Sequence, residues 1–198
     1  MTYTTYKKTQ NIIPPHGGYR NLKSYQMAEI VYDLTVGFCK KYMTYKTNKS
    51  YRTYDQMVQA ARSGKQNIAE GSMVSGTSKK SEIKLMGVAR GSFEELLQDF
   101  LDFLRQGNLP LWSKEDPRVQ EIRELSYRSD KSYRSDKSYR TYMTYMRQPE
   151  SAANCMICLI HQTNYLLDQQ IKRLEKDFLE KGGFTEKLYQ ARRNYRET

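Results

Sequence analysis

Three ligand-type side chains stand at helical spacing in Cys155-x-x-Cys158-x-x-His161, a pattern that could hold zinc. A single run of this kind supplies no clear fourth ligand, and residues three apart keep to one side of a helix. The competing expectation is that Cys155 and Cys158 fill the core, because a free cysteine behaves as a compact hydrophobe. A thioredoxin-like role would need a βαβ setting, and no strand pattern surrounds the pair.

Two further pairs could do acid–base chemistry. Asn67 and Glu70 fall one turn apart on one helical stretch and Ser92 and Glu95 one turn apart on another, so each pair shares a face. Carboxylates so placed suggest a general acid or a di-metal carboxylate centre. Ferritin-like centres want Glu-x-x-His on two helices, and neither His16 nor His161 lies three residues after a Glu. The blander expectation is a structural polar network of Asn67, Glu70, Ser92 and Glu95, hydrogen-bonded across packed helices. Gly71 to Gly76 reads as a helix end and turn, so no phosphate loop of Walker or dinucleotide type is present. Two histidines leave little room for a catalytic triad. The chain is expected to be non-enzymatic, with no cofactor and no metal.

The basic residues remain. Lys and Arg total 33 against 22 Asp and Glu, a formal charge of +11, which makes a polyanion the first partner to consider. Arg62 and Lys65 are one turn apart, Lys79, Lys80 and Lys84 crowd the start of the next helix, and Arg90 follows. Cations at a helix N-terminus oppose its macrodipole, so Lys79 and Lys80 gain nothing locally, whereas a phosphate would give them a role. These six are the candidate nucleic-acid-binding residues, for RNA or DNA. Against them stands a solvated basic face, in which Arg62 or Arg90 pairs instead with Glu70 or Glu94.

What must position these residues is a set of helices. Met27, Ile30, Val31, Leu34 and Phe38 recur at three- and four-residue steps and predict a helix from about Leu22 to Met43. A second, from about Tyr54 to Val74, carries many small residues, among them Ser63, Gly64, Ala69 and Gly71, which let a neighbouring backbone come close. A third opens after Ser78, with Met86, Ala89, Phe93, Leu96, Leu97, Phe100 and Leu104 in a near-heptad stripe, and is closed by Gly107 and Pro110. A short piece lies near Arg118 to Leu125. A fourth long helix opens beyond Pro149 and ends at Gly182-Gly183. Four such helices without a strand signal predict an all-α, antiparallel up-down four-helix bundle over residues 19–183. Residues 1–18 are expected to be a flexible N-terminal segment, and 184–198 a basic tail with room for a short helix.

The hexad Ser126-Tyr127-Arg128-Ser129-Asp130-Lys131 is repeated as Ser132 to Lys137 and begun again at Ser138. Related words recur as Ser50-Tyr51-Arg52-Thr53-Tyr54 and Met143-Thr144-Tyr145. Low-complexity loop insertions near 43–54 and 126–147, mobile and loosely packed, are the expectation. Tyr127, Tyr133 and Tyr139 among arginines and lysines could stack on unpaired bases, while Asp130 and Asp136 partly cancel the charge. No stretch approaches the ~20 apolar residues of a membrane span. With no signal region and three cysteines that make a poor disulfide framework, the protein is expected in the cytoplasm, without a membrane partner.

The stretch Arg62-Ser-Gly-Lys-Gln-Asn-Ile-Ala-Glu-Gly71, with Ala89-Arg-Gly-Ser-Phe-Glu-Glu-Leu96, resembles the four-helix-bundle family of proteins encoded in bacterial 23S ribosomal RNA intervening sequences. The likeness extends through Ala153 to Ile160 and Leu166 to Ile171, from about Tyr19 to Gly183 apart from the repeats. The accessory variability determinant proteins of diversity-generating retroelements are similar to the same family. That relationship implies a cyclic homo-oligomer, a pentamer, with a basic surface for nucleic acid and a reverse transcriptase as partner. The repeat loops depart from the pattern and put in doubt contacts made through those connections. The alternative function is a structural or protein-binding adaptor with no direct nucleic-acid role.

Overall fold

A computed structural model describes residues 12–43, 48–128 and 142–197, and among them the regular structure is helical, with no strand. Helix α1 spans Lys23–Tyr42, α2 Asn48–Val74, α3 Lys79–Gln106, α4 Pro117–Arg128, α5 Pro149–Lys181 and α6 Phe184–Arg196. The ends follow from local chemistry. The Ser78 hydroxyl accepts from the Ser81 N–H at 3.1 Å and satisfies one of the orphan donors at the start of α3. Asp116 does the same for the Arg118 N–H at 2.9 Å, ahead of α4. Pro149 stands at the start of α5, where its missing N–H costs nothing, and Gly182 stops that helix at φ +66°.

The four long helices pack in a cycle of neighbours, α1 on α2, α2 on α3, α3 on α5 and α5 on α1. Their inward stripes match the expected periodicity: Val31, Leu34 and Phe38 from α1, Met86, Phe93 and Phe100 from α3, and Ala153, Met156 and Ile160 from α5 are buried. Phe38 sits edge-on to Phe100 and Phe103 with ring centroids 4.9 and 4.8 Å apart, an arrangement favoured by the ring quadrupoles. The small residues of α2 do let α3 approach. A Cβ on Gly71 would lie 2.9 Å from the Met86 methyl, and one on Gly64 2.6 Å from the Phe93 ring.

Three sequence expectations need correction. Residues 48–54, expected as part of a loop insertion, are helical: α2 opens at Asn48 and Tyr54 packs against the core. The segment holds no Gly or Pro, and once a helix is nucleated each further residue adds a hydrogen bond. The end of the second insertion is also structured. Tyr142 and Met146 are buried, Tyr145–Arg147 form a 3-10 turn, and the Tyr42 hydroxyl and Lys41 ammonium both donate to the Met146 carbonyl at 2.9 Å. With a further bond from Lys41 to the Arg147 carbonyl at 3.1 Å, three hydrogen bonds thus clasp the entry of α5 to the end of α1. Helix α4 takes in the backbone of Ser126–Arg128, the start of the first hexad, and the rest of the tandem repeat lies outside the described residues. Third, within the segment expected to be flexible, Gly17 N–H donates to the Ser72 carbonyl at 3.1 Å and Gly76 lies against His16, which ties the chain to the turn between α2 and α3. Residues 1–11 lie outside the described residues. The tail helix forms as α6, with Arg192, Arg193 and Arg196 exposed.

Candidate nucleic-acid interface

Helices α2 and α3 carry the six predicted cations, and the structure sorts them into two kinds. Arg62, Lys80 and Lys84 are exposed and have no ion-pair partner among the described residues. Lys79 is held by the Glu82 carboxylate at 2.8 Å, Glu82 being buried in the first turn of α3 where the macrodipole favours an acid. The expectation that Lys79 has no local reason to be there is therefore corrected. Arg90 bridges Glu94 of its own helix at 2.7 Å and Asp168 of α5 at 3.2 Å. Burial works against its charge, yet the Glu94 hydrogen bond and the Asp168 charge leave the guanidinium pKa raised. Lys65 stands between the two kinds, its ammonium 4.3 Å from the centroid of the Tyr32 ring on α1.

One chain does not gather these cations. Gly64 faces Phe93 and Gly71 faces Met86, so Arg62 lies level with the residues just past Phe93, while Lys80 and Lys84 stand toward the far end of α2. At 1.5 Å per residue the separation along the axis is roughly 16 Å for Lys84 and roughly 22 Å for Lys80. Arg90 is turned to α5.

The polar network also differs from expectation. The Asn67 amide donates to the Ser63 carbonyl at 2.9 Å and to its hydroxyl at 3.2 Å, and Ser63 and Ser92 hydroxyls meet across α2 and α3 at 3.1 Å. Glu70 and Glu95 are exposed. Glu95 borders the same open groove as Ser63 and Ser92, where water can meet its carboxylate. Ser63 is the member that sequence reasoning missed, and its position one turn before Asn67 was the available signal.

Cys39, Cys155 and Cys158 are buried free thiols. Burial pushes Cys39 up to about 12 and Cys158 up to about 11, which keeps them protonated and unreactive at neutral pH. His161 is exposed and lines one cavity together with Cys158, away from the buried Cys155. Among the described residues no group of three His, Cys, Asp or Glu side chains could hold a metal ion, and no helix is long and apolar enough to cross a membrane.

A cavity of about 830 Å³ was not foreseen. It lies between the N-terminal half of α1, the α3–α4 connection, α4 and α5, with Lys23, Lys114, Arg123, His161 and Gln162 among its lining. One wall is Trp112, whose indole N–H donates to Glu150 at 2.7 Å and whose ring is covered by Arg118 at 3.7 Å. Gln162 lies off the apolar stripe of α5, and only that break in pattern could have pointed to it. Compared with family models, with curated proteins and with solved structures, the chain matches none of them.

Proposed function

We propose that the protein is a non-enzymatic, sequence-tolerant RNA- or DNA-binding protein whose four long helices form an antiparallel up-down bundle that works as a cyclic homo-oligomer. The cycle of contacts among α1, α2, α3 and α5 supports the bundle, as does the short turn Ser75–Ser78, which can join only antiparallel neighbours. The observation that carries the binding role is the excess of 33 cationic over 22 anionic side chains together with Arg62, Lys80 and Lys84, exposed and without an ion-pair partner among the described residues. Spread along one chain these are a weak site, since exposed charges farther apart than a Debye length of ~8 Å are screened. Rotational symmetry copies each of them around an axis and merges their fields. The family resemblance suggests five copies and service to a reverse transcriptase, and the cysteine usage suggests a cytoplasmic setting. The buried, unreactive thiols suit a reducing compartment.

A second reading, an adaptor that docks protein, draws on the apolar side chains left in solvent at the C-terminal end. Leu179 is 83% exposed, Tyr189 69% and Tyr195 85%. Affinity for single-stranded and duplex RNA and DNA across a salt series separates the two. The nucleic-acid role gives a linear fall of log affinity with log salt over several units, and the adaptor role gives no such binding. Native mass spectrometry at micromolar concentration must show more than one copy, and a monomer there ends the oligomeric part.

A further inference from the structure

Helix α6 forms with no part of its own chain to bury it. It spans 13 residues, Phe184–Arg196, and none of them is buried. The Gly183 N–H donates to the Glu186 carboxylate at 2.7 Å, which caps its start. One cap does not sustain so short a helix in water, where most helical stability comes from covering an apolar face. The sequence supplies that face. Phe184, Leu188, Ala191 and Tyr195 follow one another at steps of four, three and four, so they fall in a single stripe. Leu188 and Tyr195 are exposed, and the apolar exposure continues into the last turns of α5 at Leu179. Asp177 of those turns is close enough to Lys79 to feel its charge, so the α2–α3 turn, with Met73 also exposed, stands at the same end of the molecule.

The residues that border the stripe decide what covers it. At roughly 100° per residue, Lys187 and Arg192 lie about 70° to either side of its centre, and Glu186 lies nearly opposite. A second copy of α6 fits badly, because pairing the stripe with itself brings these cations together whichever way the helices run. A nucleic acid can stack on a tyrosine, but it offers the aliphatic Leu188 and Leu179 nothing to enter. An anionic bilayer meets every requirement. Its headgroup boundary takes in an apolar face, its phosphates meet the flanking cations, and Tyr195 suits a place where one end is apolar and the other wet. The net charge of +11 draws the whole chain the same way. We propose that α6 docks the protein on an anionic lipid surface, lying in its plane with Phe184, Leu188 and Tyr195 inserted and Lys187 and Arg192 among the phosphates. The sequence expectation of no membrane partner rested on the want of a spanning segment, which a helix lying in the surface does not need.

The test uses the full-length protein and flotation with vesicles of phosphatidylcholine alone and of phosphatidylcholine mixed with phosphatidylglycerol. The mixed vesicles should bind at least about tenfold more tightly than the neutral ones. Leu188→Gln should remove at least about tenfold of that affinity, and Lys187→Gln and Arg192→Gln about fivefold each. All three positions are exposed, so these variants should melt with the parent. Should one of them fail to fold, a chain lacking residues 184–198 should keep the melting and lose the vesicles. No binding to the mixed vesicles overturns the proposal. Binding that ignores Leu188→Gln is adsorption of a basic protein and overturns it as well. If Leu188→Gln weakens oligonucleotide binding while vesicles are ignored, α6 serves nucleic acid and the lipid surface is ruled out. Vesicle binding that depends on Leu188 in a protein indifferent to oligonucleotides upholds the docking, and only the nucleic-acid reading then fails.

Discussion

Phe93 of α3 meets Gly64 of α2 with no room for a side chain, since a Cβ on Gly64 would fall 2.6 Å from ring atoms Cε2 and Cζ. In an exposed helix Gly→Ala gains up to ~1 kcal/mol of propensity. Here the buried ring cannot give way, and overpacking a core costs about 1–3 kcal/mol. Gly64→Ala should therefore destabilise by about 1–2 kcal/mol, lowering the melting temperature by about 2–4 °C per kcal/mol for a chain of this size. A rise in melting temperature would show that α2 and α3 separate easily.

That contact also marks how far the sequence was legible. The small residues of α2 and the stripe of α3 were readable because a period of 3.6 is imposed by helix geometry on every buried face. Which glycine meets which ring is set by the relative register of two helices, and no single helix encodes it. The same limit explains the polar network. Ser63 one turn before Asn67 was legible within α2, but its meeting with Ser92 and the exposure of Glu70 and Glu95 depend on how the two helices are set against each other.

Tyr142 tests the opposite error, in which low complexity was taken for looseness. It is 2% exposed, and burial raises its phenol pKa. Tyr142→Ala removes a buried aromatic ring and should cost about 3 kcal/mol, seen as an earlier denaturant midpoint with helicity retained below it. An unchanged midpoint would mean that the segment before α5 contributes nothing to the core. Composition alone cannot separate Tyr142 from the tyrosines of the repeats, because only its distance from the clasp at Met146 differs.

Asp99 should make stability depend on pH. Desolvation comes first, then the charges of Glu95 and Asp102, and together they raise its carboxyl from 3.8 to about 6. Its Oδ2 is buried without a partner. The folded state therefore holds this proton more tightly than the unfolded chain. The stability it contributes is fully present below 3.8 and lost as pH rises through 6. Asp99 is partly exposed, so the loss should be on the order of 1 kcal/mol rather than the full shift. Asp99→Asn should melt higher than the parent at pH 7 and converge with it toward pH 4. A constant difference across that range would assign the effect to packing and leave the titration without a role.

The division of the cations gives the last test. Arg90 and Lys79 are engaged by carboxylates within the chain, whereas Arg62, Lys80 and Lys84 have no such partner among the described residues. A phosphate contact contributes about 0.9 to the slope of log affinity against log salt on duplex DNA. In a cyclic oligomer each substitution is copied into every subunit. Changing Arg62, Lys80 or Lys84 to Gln should thus reduce the slope by more than one such unit, with melting unchanged. Arg90→Gln breaks a half-exposed bridge between α3 and α5 and leaves Glu94 and Asp168 facing each other, so it should lower stability by up to ~1 kcal/mol. Its slope should stay close to the parent's, since its charge is already balanced by two carboxylates. If Arg90→Gln flattened the salt dependence as much as Lys84→Gln, the bridge to Asp168 would have to open when nucleic acid binds. The site would then lie across α3 and α5 instead of along α2 and α3.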